Sequence, residues 1–435
     1  MKKRTEKLLA LATLLAMGTT ALASCGNKAA SGESASGEAK SEGKVALSMA
    51  IWDEKQRAMT ESLAEAYTKA HPNVSIEVQL TPYKGGEYWT KLEAAATGGK
   101  APDVFWLNVL HTDSYVDGGI LADLSDAIAK SDIKDNFPES LVNNYVRDGK
   151  NYAVPKDFDT NALWYNKEIF DEAGVSYPTN DMSYEDLVAK AEELKQAGLD
   201  EGVYPFACPV DFQTWYYQTV FANGGWILSE DKKTSGYEDP KTQGGIQCWI
   251  DMIDKELSPS SAALSETSAD AMFEGGQLAM TFAGSYMVPE YTSNDNIKDK
   301  IDCVELPSFN GVDTNCINGL GFAVYEGSKN KEAATEFAIW LSSKEAMDIQ
   351  GNTGVVISAR NESQELFAKS SDKYALAVYT AHTDKAYPLP VCKNAAQLYD
   401  MESKALQKAY SGEESLAEAC KALKTEADAF LAKNQ

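Results

Sequence analysis

Between Val45 and Asn108 the chain alternates short apolar runs with stretches of helical periodicity, and this rhythm restricts the fold more than any other feature of the sequence. Val45 to Ile51 is a short apolar strand ending in Trp52-Asp53, and Gln56 to His71 then sets Met59, Leu63, Ala66, Tyr67 and Ala70 at helical spacing. His71-Pro72-Asn73 stops that helix and Val74 to Leu80 alternates as a strand. A second helix runs from about Glu87 to Ala96, and after Gly98-Gly99 the run Pro102 to Trp106 is a buried strand. Strand, helix, strand, helix, strand predicts an α/β fold with a parallel sheet covered on both faces. In such sheets the ligand crevice lies beyond the carboxyl ends of the strands, where Trp52, Asp53, Trp106 and Asn108 fall.

A chain of 435 residues is too long for one compact core, so two lobes are expected. In the middle of the chain Tyr152 to Val154 and Ala162 to Tyr165 read as extended, with Pro155 breaking between them. An extended crossing segment is what a hinge between lobes requires. Helical periodicity follows at Tyr184 to Ala197, Gly244 to Lys255, Ala269 to Glu274 and Lys331 to Leu341, with Gly319 to Val324 as a second crossing and amphipathic helices at the end.

The first 24 residues have a different character. Lys2, Lys3 and Arg4 precede an apolar run from Leu8 to Leu15, and Leu22-Ala23-Ser24 leads into Cys25. A basic start, a short apolar core and small residues before a cysteine read as a secretory signal ending at a lipidation site. The run is broken by Thr13, Gly18, Thr19 and Thr20, too short and polar for the roughly 20 apolar residues of a spanning helix. Leu-Ala-Ser-Cys resembles the lipobox of bacterial lipoproteins, which implies a diacylglycerol on the Cys25 sulfur, and two acyl chains anchor stably where one does not. After Cys25, Gly26 to Lys44 hold only Gly, Ser, Ala, Glu, Lys and Asn without one large apolar side chain, so residues 25–44 are expected to form a flexible tether.

The formal charge is −25, and the leader itself is basic, so the exported part is more acidic still. That balance argues against nucleic acid and against a polybasic grip on lipid. Arg57, Arg147 and Arg360 are the only arginines after the leader, which weakens a dedicated phosphate or multi-carboxylate site. Cys208, Cys248, Cys303, Cys316, Cys392 and Cys420 form no Cys-x-x-Cys pair, and His71, His111 and His382 are far apart, so neither zinc nor another cofactor is expected. Buried free thiols are the favoured reading, with a Cys303–Cys316 bridge as the alternative. Asp157, Asp159, Asn161 and Glu168 match positions 1, 3, 5 and 12 of a calcium loop, but position 6 is Ala162 where the turn needs glycine. No Gly-x-Ser-x-Gly elbow and no phosphate-binding Gly-x-x-x-x-Gly-Lys-Ser/Thr occurs.

Four motifs in order carry a resemblance that covers nearly all of the exported chain: Gly98 to Val104; Asp148 to Tyr165 continuing as Asn166 to Gly174; Ala271 to Met280 leading to Gly284-Ser285-Tyr286; and Ser328 to Ala334 leading to Leu341-Ser342-Ser343. With these the chain resembles the extracellular solute-binding proteins of bacterial carbohydrate ABC importers, the group that includes maltose-binding protein. The resemblance implies a type II periplasmic-binding-protein fold, two α/β lobes with the ligand cleft between them. It places lobe one at 45–154 plus 322–355 and lobe two at 155–321 plus 356–435, with bending near Val154 to Asp159 and Gly319 to Phe322. It further implies a monomer on the extracytoplasmic face of the membrane, held by its lipid, that delivers a carbohydrate to ABC permease subunits and catalyses nothing. A lipid-tethered glycoside hydrolase, and a binder of glycerol phosphate or peptide, are the rival readings.

A pyranose presents apolar C–H faces and a rim of hydroxyls, so its recognition needs aromatic platforms beside carboxylates and amides. Trp52 with Asp53 and Trp106 with Asn108 supply that combination at strand ends. In the family an acid of the first crossing contacts sugar hydroxyls, and alignment on Tyr165-Asn166-Lys167 puts it at Asp159, with Asp157 second. The stacking aromatic after the Ala-Met strand corresponds to Tyr286, preceded by Ser285; maltose-binding protein has Trp there. Trp215, Trp226 and Tyr399 are candidate walls from lobe two, whereas Trp164, Trp249 and Trp340 lie in regular patterns and are assigned to the core.

Overall fold

The computed structural model describes residues 43–83, 86–313 and 315–434; the leader, Cys25 and the tether up to Glu42 lie outside the described residues. Strands β1 (Val45–Ile51), β2 (Val74–Leu80) and β3 (Val104–Asn108) are parallel, with helix α1 (Arg57–Ala70) leading from β1 to β2 and α2 (Glu87–Thr97) from β2 to β3. Side chains alternate across this sheet. Leu47, Met49, Ile51, Val104 and Trp106 share one core with Leu63 and Tyr67 of α1, while Ala50, Phe105 and Leu107 share the other with Tyr88, Trp89 and Leu92 of α2. Both faces are thus apolar and covered, each large side chain contributing about 1.5–3 kcal/mol by leaving water.

The sheet is not wholly parallel. Following α3 (Thr112–Asp117), the chain returns as β4 (Ala153–Pro155), continues through β5 (Asp157–Phe158) and enters β6 (Asn161–Asn166). After β7 (Met280–Gly284) and β8 (Ile301–Val304), β9 (Leu320–Val324) comes back and inserts antiparallel between β3 and β4, giving the order β2-β1-β3-β9-β4. β9 arrives from the second lobe rather than through a covering helix, so nothing forces it parallel. The second sheet is antiparallel, with β6 between β8 and β7.

The crossings differ from expectation in one detail. Pro155 does not break the strand but pairs opposite Gly321 within the ladder, and the interruption falls at Lys156. Beyond it Asp159 and Asn318 exchange backbone hydrogen bonds (2.6 and 3.2 Å), so two crossing segments run side by side, and β10 (Ile357–Ser358) pairs with β5 as a third. Gly319 lies where a Cβ would come within 2.4 Å of the Asp157 carbonyl oxygen, so only glycine allows this approach.

Helices α4 (Pro240–Asp254), α5 (Val288–Ser293), α6 (Ala395–Tyr410) and α7 (Leu416–Lys433) clothe the second lobe. All six described cysteines are free and buried, Cys303 within β8 and Cys316 beside Tyr387, so the alternative bridge does not form. Trp164 and Trp249 are core residues, and Trp340 packs against Tyr67. Among the described residues no helix is long and apolar enough to cross a membrane, and no cluster of His, Cys, Asp or Glu could hold a metal ion. The calcium-loop match dissolves: Asp157 faces Lys156, and Glu168 pairs with Lys300.

α6 buries one carboxyl completely. Glu402 accepts a hydrogen bond from the Tyr217 hydroxyl (2.7 Å) in a pocket shared with Tyr216 and Tyr237, and burial pushes its pKa up from 4.5 to about 8. The folded protein keeps this proton where the unfolded chain has lost it, so stability falls as pH rises from about 4.5 to 8. Glu402→Gln is therefore expected to raise the urea midpoint relative to wild type by a margin that grows over that range, at most about 1.4 kcal/mol per pH unit. A margin independent of pH would contradict the assignment.

Candidate functional site

The carboxyl end of β1 delivers Trp52 into a cluster of rings: Tyr88 at 4.9 Å, Trp106 at 5.1 Å, Trp89 at 5.4 Å and Tyr83 at 6.0 Å between centroids. Trp52 is partly exposed and Tyr83 is 54 % exposed, but Trp106 is fully buried. Alternation along β3 turns Trp106 into the core, so it backs the platform that Trp52 offers and is not itself open to a ligand, a correction to the sequence reading. Asp53 starts the next turn, accepting from the Lys55 amide (2.8 Å) and from Gln56 Nε2 (2.8 Å). Asn108 does the same after β3, its Oδ1 accepting from the Leu110 amide at 3.0 Å. Each keeps part of its side chain in solvent. His111 stacks on Trp89 at 3.8 Å, and burial lowers its pKa to about 4, leaving it neutral near pH 7.

The floor belongs to the first crossing. Lys156 and Asp157 form a buried ion pair; the ammonium also donates to Gln56 Oε1 (2.8 Å) and lies 4.4 Å over the Trp106 ring, while Asp157 Oδ1 accepts from the Leu320 amide (3.0 Å). Asp157 is thus buried and occupied in joining two crossings rather than open to the groove, the second correction. Asp159 is partly exposed and accepts from Ser285 Oγ at 3.1 Å. Burial, then the Asp157 carboxylate, pushes its pKa up to about 7 against the opposing pull of Lys156 and Ser285, and Asp53 of the first lobe adds to the rise.

From the second lobe β7 ends at Gly284 and presents Ser285 and Tyr286. Ser285 is buried, its amide bonded to the Thr160 carbonyl (2.9 Å). Tyr286 is 38 % exposed, and its ring lies over Gly284 so closely that a Cβ there would come within 2.2 Å of it. Absence of a side chain at 284 holds that ring in place. Burial raises the Tyr286 phenol pKa, with Asp211, Asp270 and Asp159 reinforcing it. Asp270 accepts from the Tyr291 hydroxyl (2.6 Å) and is pushed up to about 6, chiefly by burial. The second side of the site is consequently acidic.

Three proposed walls are corrected. Trp215 is buried, donating Nε1 to the Ala207 carbonyl (2.9 Å) and packing on Phe282, because the helical turn beginning at Phe212 points it inward. Trp226 donates to Asp239 (3.0 Å) and bonds Thr242, fastening a turn of the second lobe, and none of its partners belongs to the site. Tyr399 is buried with its hydroxyl on the Pro390 carbonyl (2.6 Å), but its ring stacks on partly exposed Phe212 (4.3 Å, 24°). Phe212 is thus the outer ring of that pair. α6, which carries Tyr399, packs against the turn Val109–His111 of the first lobe, so the two lobes meet around these groups.

Comparison with known proteins fits this arrangement. A family model described as bacterial extracellular solute-binding protein matches residues 52–348, from the Trp52 platform through both crossings. The chain belongs to this family. Among curated relatives of this solute-binding protein, the diacetylchitobiose binding protein DasA of Streptomyces coelicolor is 28 % identical over 305 residues, covering 67 % of each chain. The maltooligosaccharide ABC transporter solute-binding lipoprotein of Streptococcus pneumoniae is 24 % identical over 414 residues, covering 91 % of this chain and 92 % of its own. An ABC substrate-binding protein of Listeria monocytogenes, solved with cycloalternan, superposes with a TM-score of 0.80 at 24 % identity, covering 89 % of this chain and 99 % of that one. The solute-binding protein thus has the two-lobed type II fold, in a family of binding proteins.

Sequence reasoning missed Phe212, His111, Tyr83, Asp211 and Asp270. A signal was present for the first: Asp211 followed by Thr214 has the spacing of an N-cap, and Asp211 does accept from the Thr214 amide (2.8 Å), which fixes the turn that exposes Phe212 and buries Trp215.

Proposed function

We propose that this solute-binding protein captures an uncharged oligosaccharide between its lobes and hands the closed form to an ABC permease, without making or breaking a bond. The observation that carries the reading is the pair of partly exposed rings, Trp52 and Tyr286, on opposite lobes, together with Asp159, which bonds Ser285 next to Tyr286 and is influenced by Asp53 next to Trp52. Flat apolar faces and a hydroxyl-seeking carboxyl are what a pyranose needs. Among the described residues, the lysines near the site are already engaged, Lys55 by Glu290 and Lys156 by Asp157, and the surrounding carboxyls repel an anion. Micromolar capture corresponds to about 8 kcal/mol, within reach of such contacts. Relatives named as a diacetylchitobiose binding protein and a maltooligosaccharide solute-binding lipoprotein support the same class.

Attachment is assigned to a diacylglycerol on Cys25, in keeping with the lipoprotein relative and with the small and polar residues that follow it in the sequence. Growth with radiolabelled palmitate is expected to label the unaltered protein and not Cys25→Ala; equal labelling of both, or none of the unaltered protein, would contradict the anchor. The ligand assignment is tested by a thermal-shift screen of neutral, phosphorylated and peptide compounds. Neutral oligosaccharides are expected to raise the unfolding temperature, and a response to phosphorylated or peptide compounds alone would overturn it.

Asp159 adds a pH signature. A sugar hydroxyl donates best to the ionised carboxylate, so binding lowers the Asp159 pKa from about 7 and releases a proton. Affinity should rise with pH through 7 and level off above it. Asp159→Asn should flatten that profile, and an identical profile in the variant would remove Asp159 from the site.

A further inference from the structure

Among the described residues two ionic contacts span the groove from one lobe to the other beside the candidate site, and neither belongs to the core or to the proposed ligand contacts. Lys55, in the turn after β1, lies 3.3 Å from Glu290 and 3.0 Å from Ser293 Oγ, both on α5 of the second lobe. Lys393, just ahead of α6 in the second lobe, lies 2.8 Å from Asp117 at the end of α3 in the first. Their placement is systematic. Lys55 comes three residues after Trp52 and Glu290 four after Tyr286; Asp117 comes six after His111, and Lys393 six before Tyr399. One contact thus follows the strand ends that carry Trp52 and Tyr286, and the other lies near the junction of α6 with the turn Val109–His111. At the second contact a cavity of about 390 Å³ opens between the lobes, lined by Asp113, Asp117, Arg147, Lys232 and Lys393 among others.

The charges at these points are arranged for attraction. Lys55 also faces Glu274, whose carboxyl is held above its ordinary range by burial and by Glu290 and drawn down by Lys55. Lys393 is raised above the usual lysine value by Asp117 first, with Asp113 and Asp148 of the first lobe adding to it. Lys55 thus faces two acids, and Lys393, although Lys232 and the Asp113-paired Arg147 share its cavity, still faces Asp117 and Asp148, so each lysine is attracted to the opposite surface over a range of lobe separations rather than at one geometry.

We propose that Lys55 and Lys393 form a charge latch across the groove: they are positioning residues that hold the lobes together, and they set the closed-state population without touching the ligand. All four side chains are partly exposed, so each pair is weak alone. Lobe closure, however, is an equilibrium with a small free-energy gap, which modest contacts suffice to shift. The proposal rests on the closing motion in the reading above, not on the identity of the sugar.

Small-angle scattering from the unliganded full chain tests it. In low salt, Lys55→Gln with Lys393→Gln is expected to increase the radius of gyration and to lower the closed-to-open ratio about three- to tenfold, as 0.5 M NaCl should do to the unaltered protein. Exchange of partners, Lys55→Glu with Glu290→Lys, should restore most of the lost compaction relative to Lys55→Glu alone. The urea midpoint of each variant reports any loss of folding separately. Equal radii for wild type and the double Gln variant, or no rescue on exchanging partners, would overturn the latch. No sugar is used, so that failure leaves the ligand assignment standing, and a failed ligand screen leaves the latch standing.

Discussion

Asp157→Ala is expected to destabilise the protein by about 3–5 kcal/mol, the largest effect of any single substitution considered. Its carboxylate is buried against Lys156 and also accepts from the Leu320 amide, so removing it strands a buried ammonium and a backbone donor together. Lys156 has no route to water, since Gln56 and the face of Trp106 occupy its other sides. Replacing both members, Lys156→Met with Asp157→Leu, should cost less than Asp157→Ala alone, because no unpaired charge remains. Urea unfolding followed by circular dichroism checks both. A loss below 1 kcal/mol for Asp157→Ala would show that the crossing does not depend on this pair.

Trp52→Ala combined with Tyr286→Ala is expected to weaken oligosaccharide binding by a hundredfold or more. Each ring offers a flat face whose burial against a sugar is worth about 1.5–3 kcal/mol, and each belongs to a different lobe, so the loss removes both jaws of the clamp. Tyr286 is 38 % exposed and lies over Gly284 at the surface, so its removal opens no core cavity. Trp52 packs on Tyr88, Trp89 and Trp106, and the single Trp52 variant therefore loses some stability as well as affinity. Calorimetric titration beside denaturant midpoints separates the two effects. Unaltered affinity in the double variant would place the ligand elsewhere.

Much of the scaffold was legible in the sequence, and the reason is periodicity. Arg57–Ala70, Glu87–Thr97 and Tyr184–Ala197 lie within a residue or two of the expected helices, since burial of one helical face leaves a repeating apolar pattern. The inserted antiparallel strand was not legible: Leu320–Val324 is uniformly apolar, and an apolar run carries no record of direction or of its neighbours. Pro155 read as a break because proline cannot donate to a ladder, yet its carbonyl still can accept, and it pairs at the outer edge of the sheet.

The placement of the candidate residues was legible to the accuracy of a strand end. Order along the chain put Trp52, Asp53, Asn108, Ser285 and Tyr286 at strand ends and Asp159 in a crossing, and that is where they lie. Trp106, Trp215 and Tyr399 missed for a different reason. Exposure of an aromatic depends on one step of strand alternation or a third of a helical turn, and that phase is set by packing partners distant in sequence: Tyr67 and Leu63 for Trp106, Phe282 for Trp215, Phe212 for Tyr399. In two of these cases the exposed ring adjoins the buried one, Trp52 over Trp106 and Phe212 over Tyr399.

A closing clamp that captures an intact neutral sugar must bind it without turnover. Calorimetric titration of the protein with the best oligosaccharide from the screen, followed by mass spectrometry of the recovered sugar, tests it most directly. The expected result is one site per chain at micromolar Kd, affinity that rises through pH 7, and sugar recovered unchanged. Shortened oligosaccharide, or heat only from phosphorylated or peptide compounds, would contradict it.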